Sequence, residues 1–457
     1  MIGTTSRAKV ELNDIQGNIL RPYDYPHAMH TLMRVDDGAA ARAWLGRLPV
    51  TSAEPWTGPK PEATCNVAFT YAGLAALGVP ANLLATFADA FRRGMAGRAA
   101  ILGDLGQSAP ANWDAGLGTG EGGILVSQHS RRPGQLAEVV EELHDELAYR
   151  GIGTVVHAQP ADKLHRRTHD DLFSHEHFGF ADGFAQPAVA GVDNPAASQK
   201  TRTRFGRRVP LGTGEFIFGY RDSDGHLPDA PAPPLHRNGT YMVYRKLAQD
   251  VAGFRAFVDR AADATGHSSD LVAAKIVGRW CNGSPLVLAP DGPDHALAID
   301  QRRVNDFDYR DDKDGARCPL GAHVRRTNPR DTLAFGYART TRHHIIRRGM
   351  PYGPALPPGA AAGGPDRGLV FVCFNTDIER QFEFIQQRWC NDGDPFGLGN
   401  DTDALIGVRP GSGKMTLNGQ PPTFLSDLPD FVTTRGGEYL FVPGKQALAA
   451  LAQGVVA

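Results

Sequence analysis

The sequence predicts an α+β fold arranged as two domains. Strand-like and helix-like segments alternate, without the long, uniformly apolar runs of a buried parallel sheet, which favours antiparallel sheets carrying helices. At 457 residues the chain exceeds what one hydrophobic core usually serves. Glycine (53) and proline (33) are spread throughout, so many loops separate elements of modest length.

In chain order, His27 to Val35 and Gly123 to Ser127 read as strands. Pro133 to Tyr149 reads as a helix, because Leu136, Val139, Val140, Leu143 and Leu147 recur at three- and four-residue steps. Pro133 suits its first turn, where a missing N–H costs nothing. A second helix is expected from Leu247 to Ala262, with Leu247, Val251, Phe254 and Phe257 on one face, and a third over Asp377 to Arg388. The proline-rich stretches Leu227 to Leu235 and Pro351 to Gly364 read as surface loops. The polar stretch Asp193 to Arg208 is the expected domain boundary, dividing the chain into residues 1–200 and 201–457.

Composition narrows the function class. With 41% apolar and 21% charged residues, the chain can build cores as a globular protein does. Lys plus Arg (48) nearly balance Asp plus Glu (50), leaving a net charge of −2, so a nucleic-acid partner is not expected. No apolar run is long enough to span a bilayer, and neither a signal-like apolar segment nor a twin-arginine pair precedes the first strand, so no membrane partner is expected. Five cysteines without CxxC pairs read as reduced thiols. The expectation is a cytoplasmic enzyme, monomeric or homodimeric.

The most informative segment is Gly179-Phe180-Ala181-Asp182-Gly183, an acid between glycines within the aromatic run His177, Phe178, Phe180 and Phe184. Glycines let backbone turn sharply beside a flat ligand, and an acid in an apolar pocket can take and return a proton. About 140 residues on, Cys318 to Arg330 places His323 ahead of Arg325, Arg326 and Arg330. A neutral imidazole can ligate haem iron, and arginines suit haem propionates. A third segment, His343 to Gly353, carries Arg347 and Arg348. His175/His177 and His343/His344 lack the accompanying cysteine or acid set of a zinc site.

In order along the chain, these segments resemble the dye-decolourising peroxidases, a family of haem enzymes. Asp14 to Leu20 is similar to the family's opening strand, and Asn66 to Thr70 and Leu102-Gly103-Asp104 are similar to its first-half landmarks. Gly214 to Tyr220, Asn238 to Tyr241 and Gly278-Arg279-Trp280 match the middle; Gln381 to Gln386 and Gly437 to Pro443 match the end. The likeness thus covers nearly the whole chain.

The resemblance implies two ferredoxin-like domains, each a four-stranded antiparallel sheet with packed helices, with one haem b held in the C-terminal half near the domain interface. It implies reduction of hydrogen peroxide to water through a ferryl/porphyrin-radical intermediate, and oxidation of bulky aromatic donors. Dyes, phenols, aromatic sulfides and Mn(II) all fit, since donor choice depends on surface access.

Residue by residue, His323 maps onto the proximal iron ligand, Asp182 onto the distal acid and Arg347 onto the distal arginine. Arg348 is the neighbour that should point the other way on a strand. Gly183 and Phe184 lie beside the cofactor. Arg325 and Arg330 are propionate partners, with Arg326 the third candidate. Glu383 resembles the acid behind the proximal histidine, with Asp377 as the alternative. Tyr352, five positions after Arg347, stands where the family carries an electron-transfer residue, and Trp389 and Trp280 are further candidates.

Overall fold

The computed structural model describes residues 9–164, 174–193, 201–202, 208–334, 336–361, 363–409 and 411–454. Thirteen strands are formed among them. In order they are β1 (His27–Val35), β2 (Ala63–Phe69), β3 (Ile124–Ser130), β4 (Gly153–Asp162), β5 (Thr201–Arg202), β6 (Arg208–Val209), β7 (Thr240–Gln249), β8 (Ile346–Arg347), β9 (Met350–Tyr352), β10 (Gly368–Asn375), β11 (Gly413–Leu417), β12 (Thr423–Leu428) and β13 (Val432–Val442). Nine of them build one sheet in the order β4-β1-β3-β2-β13-β7-β10-β8, with β9 also pairing with β10.

The N-terminal half runs β1, helix Gly38–Leu45, β2, β3, helix Pro133–Tyr149, β4, and its strands lie in the order β4-β1-β3-β2. The C-terminal half repeats this plan. It runs β7, helix Val251–Thr265, β8 and β9, β10, a helical segment Glu379–Asn391, then β13, with strands in the order β13-β7-β10-β8. Both are ferredoxin-like, and their ladders are antiparallel throughout. They join edge to edge where Phe69 of β2 faces Phe441 of β13. Most of the expected boundary, residues 194–200 and 203–207, lies outside the described residues.

Three sequence expectations change in the structure. Asp14 to Leu20 forms a turn and the short helix Gly17–Leu20 rather than a strand. The Gln16 side chain instead pairs with β2, accepting from Val67 N and donating to Val67 O, both at 2.9 Å. Leu247 belongs to β7, which continues to Gln249; the helix begins at Val251 after Asp250 accepts the Gly253 N–H at 2.9 Å. The apolar spacing had crossed that cap. The third helix starts at Glu379 and is wound in wide π turns to Asn391.

Side-chain alternation on β7 sets the site. Met242 and Tyr244 join the core between the two halves, with Ile19, Leu32, Phe374 and Leu440. Arg245, Leu247 and Gln249 face the other way, into a cavity. Helices Val251–Thr265 and Ser269–Val277 pack a second core, including Phe254, Val272 and Trp280, beneath that cavity. Among the described residues, no helix is long and apolar enough to cross a membrane.

Candidate active site

A cavity of about 370 Å³ is lined by Phe178, Phe180, Asp182, Phe184 and Arg347, and also by His323. The acid-bearing wall depends on glycine. Gly179 (φ +102°) and Gly183 (φ +93°) occupy the left-handed region that side-chain-bearing residues avoid. The loop is tied at its ends: Asp182 N donates to Ser174 O, and Ala181 N to Cys281 O, both at 2.9 Å. Asp182 Oδ1 accepts the Gly183 N–H at 2.6 Å, and the carboxylate stands 4.0 Å from Arg347 Nη1.

Arg347 lies on β8, opposite Cys373 of β10. Its Nη2 donates to Phe184 O at 2.6 Å, and its backbone N donates to Gln186 Oε1 at 3.1 Å. Strand and loop therefore fix each other. Arg348 points the other way, donating to Asn18 O at 3.0 Å and Ile19 O at 3.1 Å. Strand alternation separates the two arginines.

His323 opens the short helix His323–Thr327. Its Nδ1 lies 2.9 Å from Asp403 Oδ2, and among the described residues none hydrogen-bonds its Nε2. Asp403 is fully buried, and its Oδ1 accepts from Leu405 N at 2.9 Å and Ile406 N at 3.0 Å. Burial pushes the Asp403 carboxyl up, but the imidazole, the Ile406 amide and Arg326 outweigh it and hold it at about 2. For His323, burial pulls down and the Asp403 carboxylate pulls up, with a net rise. An acid at Nδ1 selects the tautomer and makes the other nitrogen a better donor to a metal.

This partner is Asp403, which corrects the expectation for Glu383. Glu383 is buried but accepts from Arg98 Nε and Tyr439 OH, both at 2.9 Å. The helix that carries it turns this side chain toward Arg98 and β13 rather than His323. Asp377, the alternative, caps the same segment by accepting Arg380 N at 2.9 Å.

Arg325 also departs from expectation. It is fully buried away from the cavity, donating to Cys318 O at 2.7 Å and pairing with Asp312 at 3.3 Å. Two positions after His323 on a helix, it projects about 200° round the axis. Arg326 is likewise spent on backbone, donating to Trp389 O at 2.7 Å. Arg330 does reach the cavity wall, beside Arg279, a residue absent from the sequence-level candidates.

The cavity fits a haem. Arg330 donates to Phe307 O at 2.8 Å, and Arg279 to Gly283 O and Asn305 Oδ1, also at 2.8 Å. Among the described residues neither guanidinium pairs with a carboxylate. Burial, then the charge of Arg330, pushes Arg279 down to about 9. Two uncompensated cations at one wall suit the carboxylates of a propionate-bearing ring. At another wall, buried Arg245 pairs with Asp104 through Nη2 while its Nε and Nη1 have no partner among the described residues. Leu102, Val277, Leu369, Ile385 and Leu405 supply apolar surface for the ring faces and edges.

Phe184 lines the cavity, with Arg279 5.2 Å from its ring, whereas Gly183 is exposed at the loop's turn. Trp389 lines it too, edge-on to His343 (5.1 Å), which stacks on Phe384 at 3.9 Å. Tyr352 is buried on β9 away from the cavity, its OH donating to Asp366 at 3.3 Å. Trp280 is buried, with Nε1 donating to Ala289 O at 2.8 Å.

Known proteins resemble this chain along nearly its whole length. A family model for the C-terminal part of Dyp-type peroxidases matches residues 297–398. The dye-decolorizing peroxidase msp1 of Mycetinis scorodonius is 31% identical over 97% of this chain and 88% of its own length. Peroxidase 2 of the same fungus is 32% identical with the same coverage. A solved dye-decolorizing peroxidase in complex with 2,6-dimethoxyphenol superposes with a TM-score of 0.81 at 28% identity, covering 97% of this chain and 100% of that one. The chain belongs to the dye-decolourising peroxidase family and is a haem-dependent peroxidase that oxidises aromatic donors.

Proposed function

We propose that the cavity binds one haem b per chain between His323 and Asp182, and that Asp182 is the acid–base group for hydrogen peroxide. The carrying observation is that an acid, an arginine and a carboxylate-backed histidine line one cavity. When bound, the haem supplies the redox centre for peroxide reduction and donor oxidation. His323 is the residue that would hold its iron, through Nε2, with Asp403 fixing the imidazole. Arg330 and Arg279 are suited to its propionates.

Asp182 has one oxygen on the Gly183 N–H, leaving Oδ2 to take a proton from the inner oxygen of peroxide and return it to the outer one. Arg347 carries a fixed cation on the same wall, where it stabilises the anion formed when that proton leaves. Phenylalanines 178, 180 and 184 keep the site apolar around them. Donors too large for the cavity are served from the protein surface, and Trp389, on the cavity wall, is better placed for that transfer than Tyr352.

The two repeated half-sheets support reading residues 1–200 and 201–457 as two domains. The near-balance of charge, a net −2, supports a reading without a nucleic-acid partner. The binding reading is tested by reconstituting the His323→Ala variant. It should lose the Soret spectrum of a histidine-ligated ferric haem; retention of that spectrum would sink the assignment.

A further inference from the structure

The loop carrying Asp182 holds a second acid that the catalytic reading leaves unused. Glu176 Oε1 accepts the Phe180 N–H at 2.9 Å. Its Oε2 accepts the Phe178 N–H at 2.9 Å and the Gln249 side-chain N–H at 2.7 Å. Its backbone closes the same turn, with Glu176 N donating to Phe180 O and Gly179 N to Glu176 O, both at 3.0 Å. One carboxylate thus clamps both flanks of Gly179, the residue at φ +102°, two positions before Ala181 and three before Asp182.

We propose that Glu176 is a positioning residue for the peroxide step, holding the turn that presents Asp182 to the cavity. The inference rests on the reading of Asp182 as the acid–base group. Gln249 ends β7 and its backbone N donates to Arg367 O at 3.0 Å, so the clamp transfers the rigidity of the central sheet to the loop. The chemistry requires a carboxylate. Three N–H donors converge on two acceptor-only oxygens, whereas a glutamine has one acceptor oxygen and would aim an NH2 at a backbone N–H. The glycine turn has no side chain of its own to resist motion. Displacing an acid by a fraction of an ångström is costly when it must reach a particular peroxide oxygen.

The test uses the haem-loaded enzyme and the variants Glu176→Gln and Asp182→Asn. Glu176→Gln should lower kcat/KM for hydrogen peroxide by ~10- to 100-fold while leaving kcat/KM for the aromatic donor unchanged. The amides of Phe178 and Phe180 should exchange with deuterium about tenfold faster, with exchange elsewhere unaltered. Gln249→Leu, which removes one donor and leaves the acid, should move both readouts the same way by less. An unchanged peroxide step in Glu176→Gln beside a crippled Asp182→Asn overturns this inference alone. An unchanged peroxide step in Asp182→Asn overturns both it and the reading beneath it. Equal losses in the peroxide and donor constants would reduce Glu176 to a general structural part and also overturn the proposal.

Discussion

Asp403 Oδ2 lies 2.9 Å from His323 Nδ1, across 80 residues of chain, and this contact fixes which imidazole nitrogen faces the cavity. The acid is itself held by two backbone amides, so the imidazole leans on a rigid support. A carboxylate there raises the basicity of the nitrogen that would bind iron and favours oxidised iron.

Replacing Asp403 with asparagine should therefore weaken haem retention or activity by about 10- to 100-fold and raise the Fe(III)/Fe(II) potential. Haem transfer to an apo-globin acceptor and a spectroelectrochemical titration measure the two effects. Unchanged values would show that the contact does not tune the ligand.

Glu383 makes the opposite case. Bound to Arg98 and Tyr439, it ties the N-terminal half to the segment Glu379–Asn391 and to β13. Both carboxylate and guanidinium are largely buried, and Glu383→Ala leaves Arg98 with only its contacts to Glu379 and Asp89 and takes the acceptor from Tyr439 OH, which should cost about 1–3 kcal/mol in stability. Denaturant titration measures this, and the ferric haem spectrum should stay as in the parent protein.

The pH dependence of stability should have two limbs. Burial pushes Glu438 up to about 7 from its ordinary 4.5, against the opposing Gly118 N–H at 2.6 Å. Between those values the folded state holds more protons than the unfolded chain, so stability falls as pH rises, by up to ~3 kcal/mol. His30 is the reverse: burial, then His129 and His157, lowers it to about 3 from 6.5. Below 6.5 the unfolded chain takes the proton first, so stability also falls as pH drops toward 3. Thermal melts of Glu438→Gln should show stabilisation at about pH 8 and none at about pH 4.

How far the sequence revealed this protein depended on how local each signal was. The Gly179–Gly183 loop, His323 with its following arginines, and Arg347 before Arg348 are short patterns whose chemistry can be read in place. The helix Pro133–Tyr149 announced itself through a continuous periodicity, and Leu136, Val140, Leu143 and Leu147 are its buried face. Asp403 carries no such local mark, because only tertiary folding brings it to His323. Glu383 is equivalent to such an acid in sequence, and only the fold brings Arg98, 285 residues away, to claim it. Arg325 and Arg330 could not be separated before helix geometry placed Arg325 on the far side. Leu247 continued a helical spacing that the backbone breaks at Asp250, where the cap decides.

The most direct test of the central claim is the rapid-mixing reaction of haem-loaded Asp182→Asn with hydrogen peroxide, followed through the Soret band. If Asp182 moves the peroxide proton, the bimolecular rate falls ~10²–10⁴-fold below that of the parent protein, with the resting ferric spectrum preserved. A rate equal to the parent's would contradict it and move the proton-transfer role to another group on the cavity wall.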